Sequence, residues 1–381
     1  MKKTTLSLVS INIGNPEKKS IYEVFKNNWL TMGPLTEKFE KKFAHFVGSK
    51  YAVAVNSCTA ALQIAMSQRN LDTDDEIITT PFTWESTTSS ILYAGAKPVF
   101  ADIDPNSGNI SADSIKRVAT NKTKGILLIH YAGWPADMKN ILKLAKNNNW
   151  FVIEDCAHAL GTKINDRHVG TWGLAGCFSF GSTKTITTGE GGMVVTNDVK
   201  VFEDLRVLRN YGSNEDSFTK HKTKERGYDI TKLSYNFKIN ELASALGVAQ
   251  MDRLPRYIKE KQKVLSWYYQ AFDVALKAKI LYSQETPNDE VCPLFLPIII
   301  DSKVKTDRTI LMDKLKKAGI DSTIHHPMVY DLTAYRQVLG NLKGSCPIAE
   351  EISTRILSLP CHGEVTRKDI SNVIKIIESF S

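Results

Sequence analysis

The sequence predicts an α/β fold, a large α/β/α sandwich around a mainly parallel mixed sheet, followed by a smaller C-terminal α+β domain. Two observations carry this. Short, continuously apolar runs alternate with segments of helical spacing up to about residue 250, and that alternation builds a parallel sheet covered by helices on both faces. Beyond it the pattern becomes a long charged helix with one strong apolar run.

Leu35–Phe46 repeats apolar residues at helical spacing, and Tyr51-Ala-Val-Ala-Val55 then reads as the first strand. The turn Asn56-Ser57-Cys58-Thr59 opens a helix over Thr59–Gln68. Glu76–Thr80, Pro98–Ala101, Gly125–Ile129, Trp150–Ile153, Cys177–Phe180 and Gly192–Val195 read as strands buried on both faces, with a helix at Met138–Asn147. After Asn240–Gln250 come a helix over Pro255–Leu276, a strand at Leu294–Ile300, and helices at Asp307–Ala318 and Arg367–Phe380. The expected division is 1–250 for the large domain and 251–381 for the small one. A chain of 381 residues exceeds the size at which a single core stops growing.

Composition excludes several classes of function. The longest apolar stretch, Cys292–Ile300, is about half the ~20 residues of a membrane helix and is interrupted by Pro297. The apolar part of the N-terminus, Leu6–Val9, is too short for a secretory signal, so no membrane association and a cytoplasmic location are expected. Six cysteines without a C-x-x-C pair signal neither a disulfide framework nor a zinc site. The net charge of +8 is dispersed over the chain, which favours anionic small molecules over nucleic acid.

Three groups carry chemistry. Asp155 closely follows the apolar strand in Glu154-Asp155-Cys-Ala-His158-Ala-Leu-Gly161. A carboxylate at the end of a buried strand is costly unless it meets a cation, although Asp at this position also suits a helix N-cap. Lys184 lies beyond the strand Cys177–Phe180, in a string of hydroxyl residues and glycines from Phe178 to Gly192 that permits close approach of a ligand. Ser57, Cys58 and Thr59 start a helix after the first strand, which makes either an anion site or a simple cap. A lysine, a buried carboxylate and an anion cradle on strand ends form the set that pyridoxal phosphate chemistry requires.

These strings resemble the DegT/StrS sugar aminotransferases, a fold-type-I family dependent on pyridoxal 5'-phosphate. The resemblance runs from Gly33-Pro34 and Phe39-Glu40 through both strings to Leu357-Ser-Leu-Pro360, and Thr-Lys184-Thr-Ile-Thr-Thr-Gly-Glu-Gly-Gly-Met is especially similar to perosamine-synthase-like members. It implies that Lys184 holds the cofactor as a Schiff base and shuttles protons, and that Asp155 faces the pyridine nitrogen. Trp84 would stack on the ring and His158 pack beside it, while Ser57, Cys58, Thr59 and Ser179 bind the phosphate. Asn236 would reach the phosphate of a neighbouring subunit, making a homodimer with shared sites. The implied reaction moves an amino group from glutamate, through pyridoxamine 5'-phosphate, to a keto-sugar, most simply a 4-keto-6-deoxy nucleotide sugar, in surface polysaccharide or lipopolysaccharide biosynthesis.

The chain departs from the family at Cys58, Ser234 and Lys238, and at Val329 where a histidine is frequent. His325 and His326 are candidate substrate residues, with an ordinary surface loop as the alternative reading. Lys220–Arg226 would face an anionic part of the substrate, or be a solvated loop. Competing functions are amination of a non-nucleotide keto-sugar such as a keto-ulosonate, a sugar dehydratase, and a non-catalytic regulator. The dehydratase branch replaces the lysine by histidine, and a regulator has no need of all three groups.

Overall fold

The structure is a computed structural model that describes residues 6–215, 228–272, 278–280, 289–301 and 307–379. Its first part runs α1 (Asn15–Asn27), α2 (Pro34–Val47), β1 (Tyr51–Val55), α3 (Cys58–Ser67), β2 (Glu76–Thr79), α4 (Glu85–Tyr93), β3 (Lys97–Phe100), α5 (Ala112–Val118), β4 (Thr123–Ile129), α6 (Met138–Asn148) and β5 (Phe151–Asp155). A hairpin of β6 (Lys163–Ile164) and β7 (Arg167–His168) precedes β8 (Ala175–Ser179), β9 (Gly192–Thr196) and α7 (Val199–Arg209).

Seven strands form one sheet in the order β1-β9-β8-β5-β4-β2-β3. Only β9 runs against its neighbours in this sheet. The expected mainly parallel mixed sheet is therefore present. Parallel strands end on one edge, so the segments after β1, β2, β4, β5 and β8 converge there. One face is covered by α3, whose Leu62 and Ala65 pack with Val53, Leu127, Ile153 and Val194. On the other, Phe39 and Phe43 of α2 meet Phe178 and Phe180 at ring separations of 5.0 to 5.4 Å.

The chain then enters α8 (Glu241–Phe272), which packs on α1 and α2 and continues toward the second core. Sequence placed this helix from Pro255, but it starts fourteen residues earlier and carries Pro255 inside. An interior proline costs about 3 kcal/mol of helix stability, and the burial of Ala245, Val248, Met251 and Leu254 offsets it. Residue 250, the expected division, lies within this continuous helix. The remaining elements are β10 (Ala278–Ile280), β11 (Asp289–Glu290), β12 (Leu296–Ile300), α9 (Arg308–Lys317), α10 (Thr333–Leu339), α11 (Pro347–Arg355), β13 (Ile356–Leu359) and α12 (Arg367–Glu378). β10, β12 and β13 form an antiparallel sheet, while β11 joins the β6–β7 hairpin. Buried Asp102, just past β3, accepts from the amides of Ile348 and Ala349 at 2.9 Å and so caps α11 from the large sheet.

His168 locks the segment that carries Asp155. Its Nε2 accepts from the Gly161 amide at 2.9 Å, so the neutral ring donates from Nδ1 to the Val169 carbonyl at 2.6 Å. Burial pushes this imidazole down to about 4 from the usual 6.5. Because the unfolded chain takes up the proton first, the stability contributed by His168 is complete above pH 6.5 and is lost as pH falls toward 4. The difference corresponds to roughly 3 kcal/mol at 1.36 kcal/mol per pH unit. Urea denaturation at pH 7 and pH 4.5 should therefore show a smaller loss for His168→Gln than for the wild type. Equal losses would show that His168 does not titrate in this way.

Candidate active site

Asp155 ends β5 and is 2% exposed. Its Oδ2 accepts from the Thr87 hydroxyl at 2.8 Å and its Oδ1 from the Ala157 amide at 2.9 Å. Thr87 sits in α4 and also shares a 2.8 Å hydrogen bond with Thr83. Residues 156–162 form turns and no helix, so the helix-cap reading of Asp155 fails; the carboxylate stays beneath the sheet edge. Burial raises its pKa, while the Ala157 amide, the Thr87 hydroxyl and the charge of Lys184 pull the other way.

Lys184 follows β8 in a turn closed by its own amide donating to the Gly181 carbonyl at 3.0 Å. Burial lowers the pKa of its ammonium, opposed by Cys58 and Asp155. A lysine poised this way is more readily the free amine that attacks a carbonyl.

The turn after β1 lies beside both groups. Ser57 caps α3, its Oγ accepting from the Ala60 amide at 3.1 Å, so the capping reading holds for the side chain. The α3 N-terminus leaves early amides available to an anion. Gly192 keeps this turn close to β9: a Cβ there would stand 2.4 Å from the Ser57 carbonyl oxygen and 2.8 Å from the Cys58 nitrogen. The Cys58 side chain is buried under the turn, where burial and the charges of Asp155 and Cys177 push its thiol well up. Ser179, at the end of β8, accepts from the Gly181 amide at 3.4 Å.

Trp84 precedes α4 and is 53% exposed, with its ring 5.7 Å from that of His326. His158 is buried, and its Nδ1 accepts from the Ala132 amide at 3.3 Å. Burial, Lys184 and the two other histidines hold it well below the usual range, so it is a neutral ring protonated on Nε2. His325 lies flat on Phe295 at 4.1 Å, shares a 2.9 Å hydrogen bond between Nδ1 and the Ser358 hydroxyl, and is held at about 4 by burial and Lys184. His326 is 3% exposed and stacks on His158 at 5.7 Å. Both histidines lie in an irregular segment, in which His326 is buried and His325 half-buried. The structure thus brings Trp84, His158, His325 and His326 into one cluster.

Asn236 is exposed; its Oδ1 accepts from the Lys238 amide at 3.3 Å and its carbonyl from Asn56 Nδ2 at 3.3 Å. Its backbone therefore borders the Asn56–Thr59 turn of its own chain. The basic stretch Lys220–Arg226 lies outside the described residues.

Sequence reasoning missed the supports of the site. Buried Glu154 accepts from His130 Nε2 at 3.0 Å and from the amides of Gly170, Trp172 and Gly173 at 2.6 to 2.8 Å. Its neighbours His130 and Cys156 place their ligand atoms within 4.8 Å of one another and of the carboxylate. However, His130 Nδ1 accepts from the Ala136 amide at 3.0 Å, so both ring nitrogens are in use and the trio is a structural latch. Thr87 and Tyr131 were also missed. The one signal for Thr87 was its place three residues after Trp84, in the first turn of the helix that Trp84 precedes.

The model of the DegT/DnrJ/EryC1/StrS aminotransferase family matches residues 12–378. The chain belongs to this family. It is 34% identical over 97% of its length to the spore coat polysaccharide biosynthesis protein SpsC of Bacillus subtilis, 95% of which is covered. An uncharacterized protein of Methanocaldococcus jannaschii is 34% identical with the same coverage of both chains. Among solved structures, Helicobacter pylori PseC, an aminotransferase involved in the biosynthesis of pseudoaminic acid, superposes with a TM-score of 0.90 at 30% identity, covering 98% of this chain and 100% of PseC. The protein is accordingly a sugar aminotransferase of the pyridoxal-phosphate-dependent DegT/StrS type, with the fold expected of it. Its residues fit that cofactor: a buried carboxylate short of partners, a partly buried amine, and a helix N-terminus pressed close by a glycine. Among the described residues no helix is long and apolar enough to cross a membrane.

Asp155→Asn should keep the fold and lower turnover of the cofactor-loaded enzyme by ~100-fold or more, because an amide cannot stabilise a protonated ring nitrogen. Circular dichroism and single-turnover absorbance measure the two effects. Near-normal turnover in fully loaded protein would reduce Asp155 to a structural group.

Proposed function

We propose that this enzyme moves an amino group from glutamate to a 4-keto-6-deoxy nucleotide sugar, for a surface polysaccharide or related glycan. The observation that carries the proposal is the convergence of Lys184, Asp155 and the Ser57–Thr59 turn on one sheet edge, with Cys58 under the electrostatic influence of both charged groups. The polysaccharide role of SpsC supports the destination of the product. A keto-ulosonate is the second reading, favoured by Val329, which is buried and presents no polar group where the family frequently has histidine.

In this proposal the amides at the start of α3, with Thr59 and Ser179, hold the cofactor's phosphate, and Trp84 covers one face of its ring. Asp155 stands at the ring nitrogen, prepared by Thr87 and the Ala157 amide to meet a positive charge. When bound, pyridoxal phosphate supplies an electron-withdrawing ring that makes the donor's Cα proton acidic. Lys184 Nζ takes that proton from Cα, and its lowered basicity lets it give the proton up again. His158, neutral and fixed by the Ala132 amide, packs beside the ring without adding charge.

We propose further that the enzyme is a homodimer with shared sites. Asn236 is surrounded in sequence by exposed apolar side chains, with Leu233 97% and Tyr235 68% exposed, as expected of a surface that a second subunit covers. Lys184→Ala should be inactive. Asn236→Asp should be weak, because a carboxylate repels the phosphate. In a mixed dimer with isologous symmetry one site collects both defects and the other is restored. Re-equilibrated mixtures should exceed the mean activity of the two variants. Verified heterodimers without that gain, where Asn236→Asp alone is clearly impaired, would place both residues within one chain's site.

A further inference from the structure

The cluster beside Lys184 contains an imidazole with an unmet demand. His158 spends Nδ1 on the Ala132 amide and His325 spends Nδ1 on the Ser358 hydroxyl. The Tyr131 hydroxyl donates to the His325 carbonyl at 2.5 Å. His326 is 3% exposed, yet its Nε2 is buried without a hydrogen-bond partner. Leaving a buried polar atom unpaired costs about 1–3 kcal/mol, so such an atom in a binding cleft calls for a partner that arrives with the ligand.

The ring is clamped so that its position is fixed while its nitrogen is not. It stacks on His158 at 24° between planes and meets the rings of Trp84, Tyr131 and His325 edge-on at 5.7, 6.3 and 4.9 Å. Rotation about the imidazole's terminal torsion is roughly two-fold. A half-turn exchanges Nε2 with Cε1 inside one outline, which brings the nitrogen to another side of the slot without moving its neighbours. Trp84, 53% exposed, is the member of this ring cluster that faces solvent.

We infer that His326 is a specificity-determining residue that hydrogen-bonds an uncharged hydroxyl of the amino acceptor. The inference rests on the proposed keto-sugar reading and narrows it. Burial, His325 and Lys184 all keep His326 neutral. A hydroxyl needs only a neutral partner, and either donates to or accepts from the ring. A carboxylate in the same slot would require the ring to take up a proton against its burial and against Lys184. His326 therefore favours a neutral sugar over a keto-ulosonate that presents its acid group there.

The test uses the cofactor-loaded enzyme with a 4-keto-6-deoxy nucleotide sugar, its analogues each lacking one hydroxyl, and a keto-ulosonate. His326→Phe keeps the ring outline and His326→Gln keeps a polar atom. Cofactor absorbance and melting temperature report folding. For His326→Phe the acceptor KM should rise about tenfold, as expected for the loss of one hydrogen bond, with a smaller change in kcat and partial recovery in His326→Gln. One deoxy analogue should be penalised about tenfold by the wild type and not by His326→Phe. An unchanged KM in a folded variant, a misfolded His326→Phe with an unimpaired His326→Gln, or equal penalties for every analogue in both enzymes would overturn the inference. A wild type that aminates only the keto-ulosonate would overturn it together with the nucleotide-sugar reading, whereas amination of the nucleotide sugar with unaltered variants would leave that reading standing alone.

Discussion

Strand β5 carries two adjacent carboxylates, Glu154 and Asp155, into the buried interior, and the alternation of a strand sends them to opposite faces. Their surroundings differ in one respect. Glu154 accepts four hydrogen bonds, from three amides and His130, and is satisfied by the protein itself. Asp155 accepts two, and burial, which these bonds and the charge of Lys184 only partly offset, raises its pKa. A buried charge with this deficit is stable as an anion only beside a cation. In the proposed site that constraint sets the role of Asp155: its deficit is where a protonated ring nitrogen would be more welcome than in water.

The remaining architecture delivers partners to that point. Parallel strands put the ends of β1, β2, β4, β5 and β8 on one edge, and each following segment contributes a different group. These are the Ser57–Thr59 turn, the Trp84–Thr87 segment, the Tyr131–Ala132 backbone, the Asp155–His158 turn and the lysine loop. Glu154 and His168 hold the second half of this edge from behind, through the amides of Gly170, Trp172, Gly173 and Gly161. The second core then brings His325 and His326 over the cleft, with Asp102 capping α11 from the large sheet.

The large sheet was legible because strands buried on both faces are continuously apolar, as Tyr51–Val55 and Gly125–Ile129 are. Lys184, Asp155 and the Ser57–Thr59 turn could be singled out as candidates because each lies at or just beyond the end of such a strand. The start of α8 was not, since Pro255 imitates a helix beginning and only tertiary burial overrides its local cost. The short strands β6, β7 and β11 hold too few residues for any periodicity. Thr87, His130 and Tyr131 were missed for another reason. Their importance lies in hydrogen bonds to residues distant in sequence, which spacing does not encode.

Lys184 is the residue proposed to engage the cofactor's carbonyl. Borohydride reduction of the pyridoxal-phosphate-loaded protein, followed by digestion and peptide mass spectrometry, reads this directly. A pyridoxyl group is expected on the peptide containing Lys184. Recovery of the label on another lysine, or no label with the cofactor in excess, would contradict it.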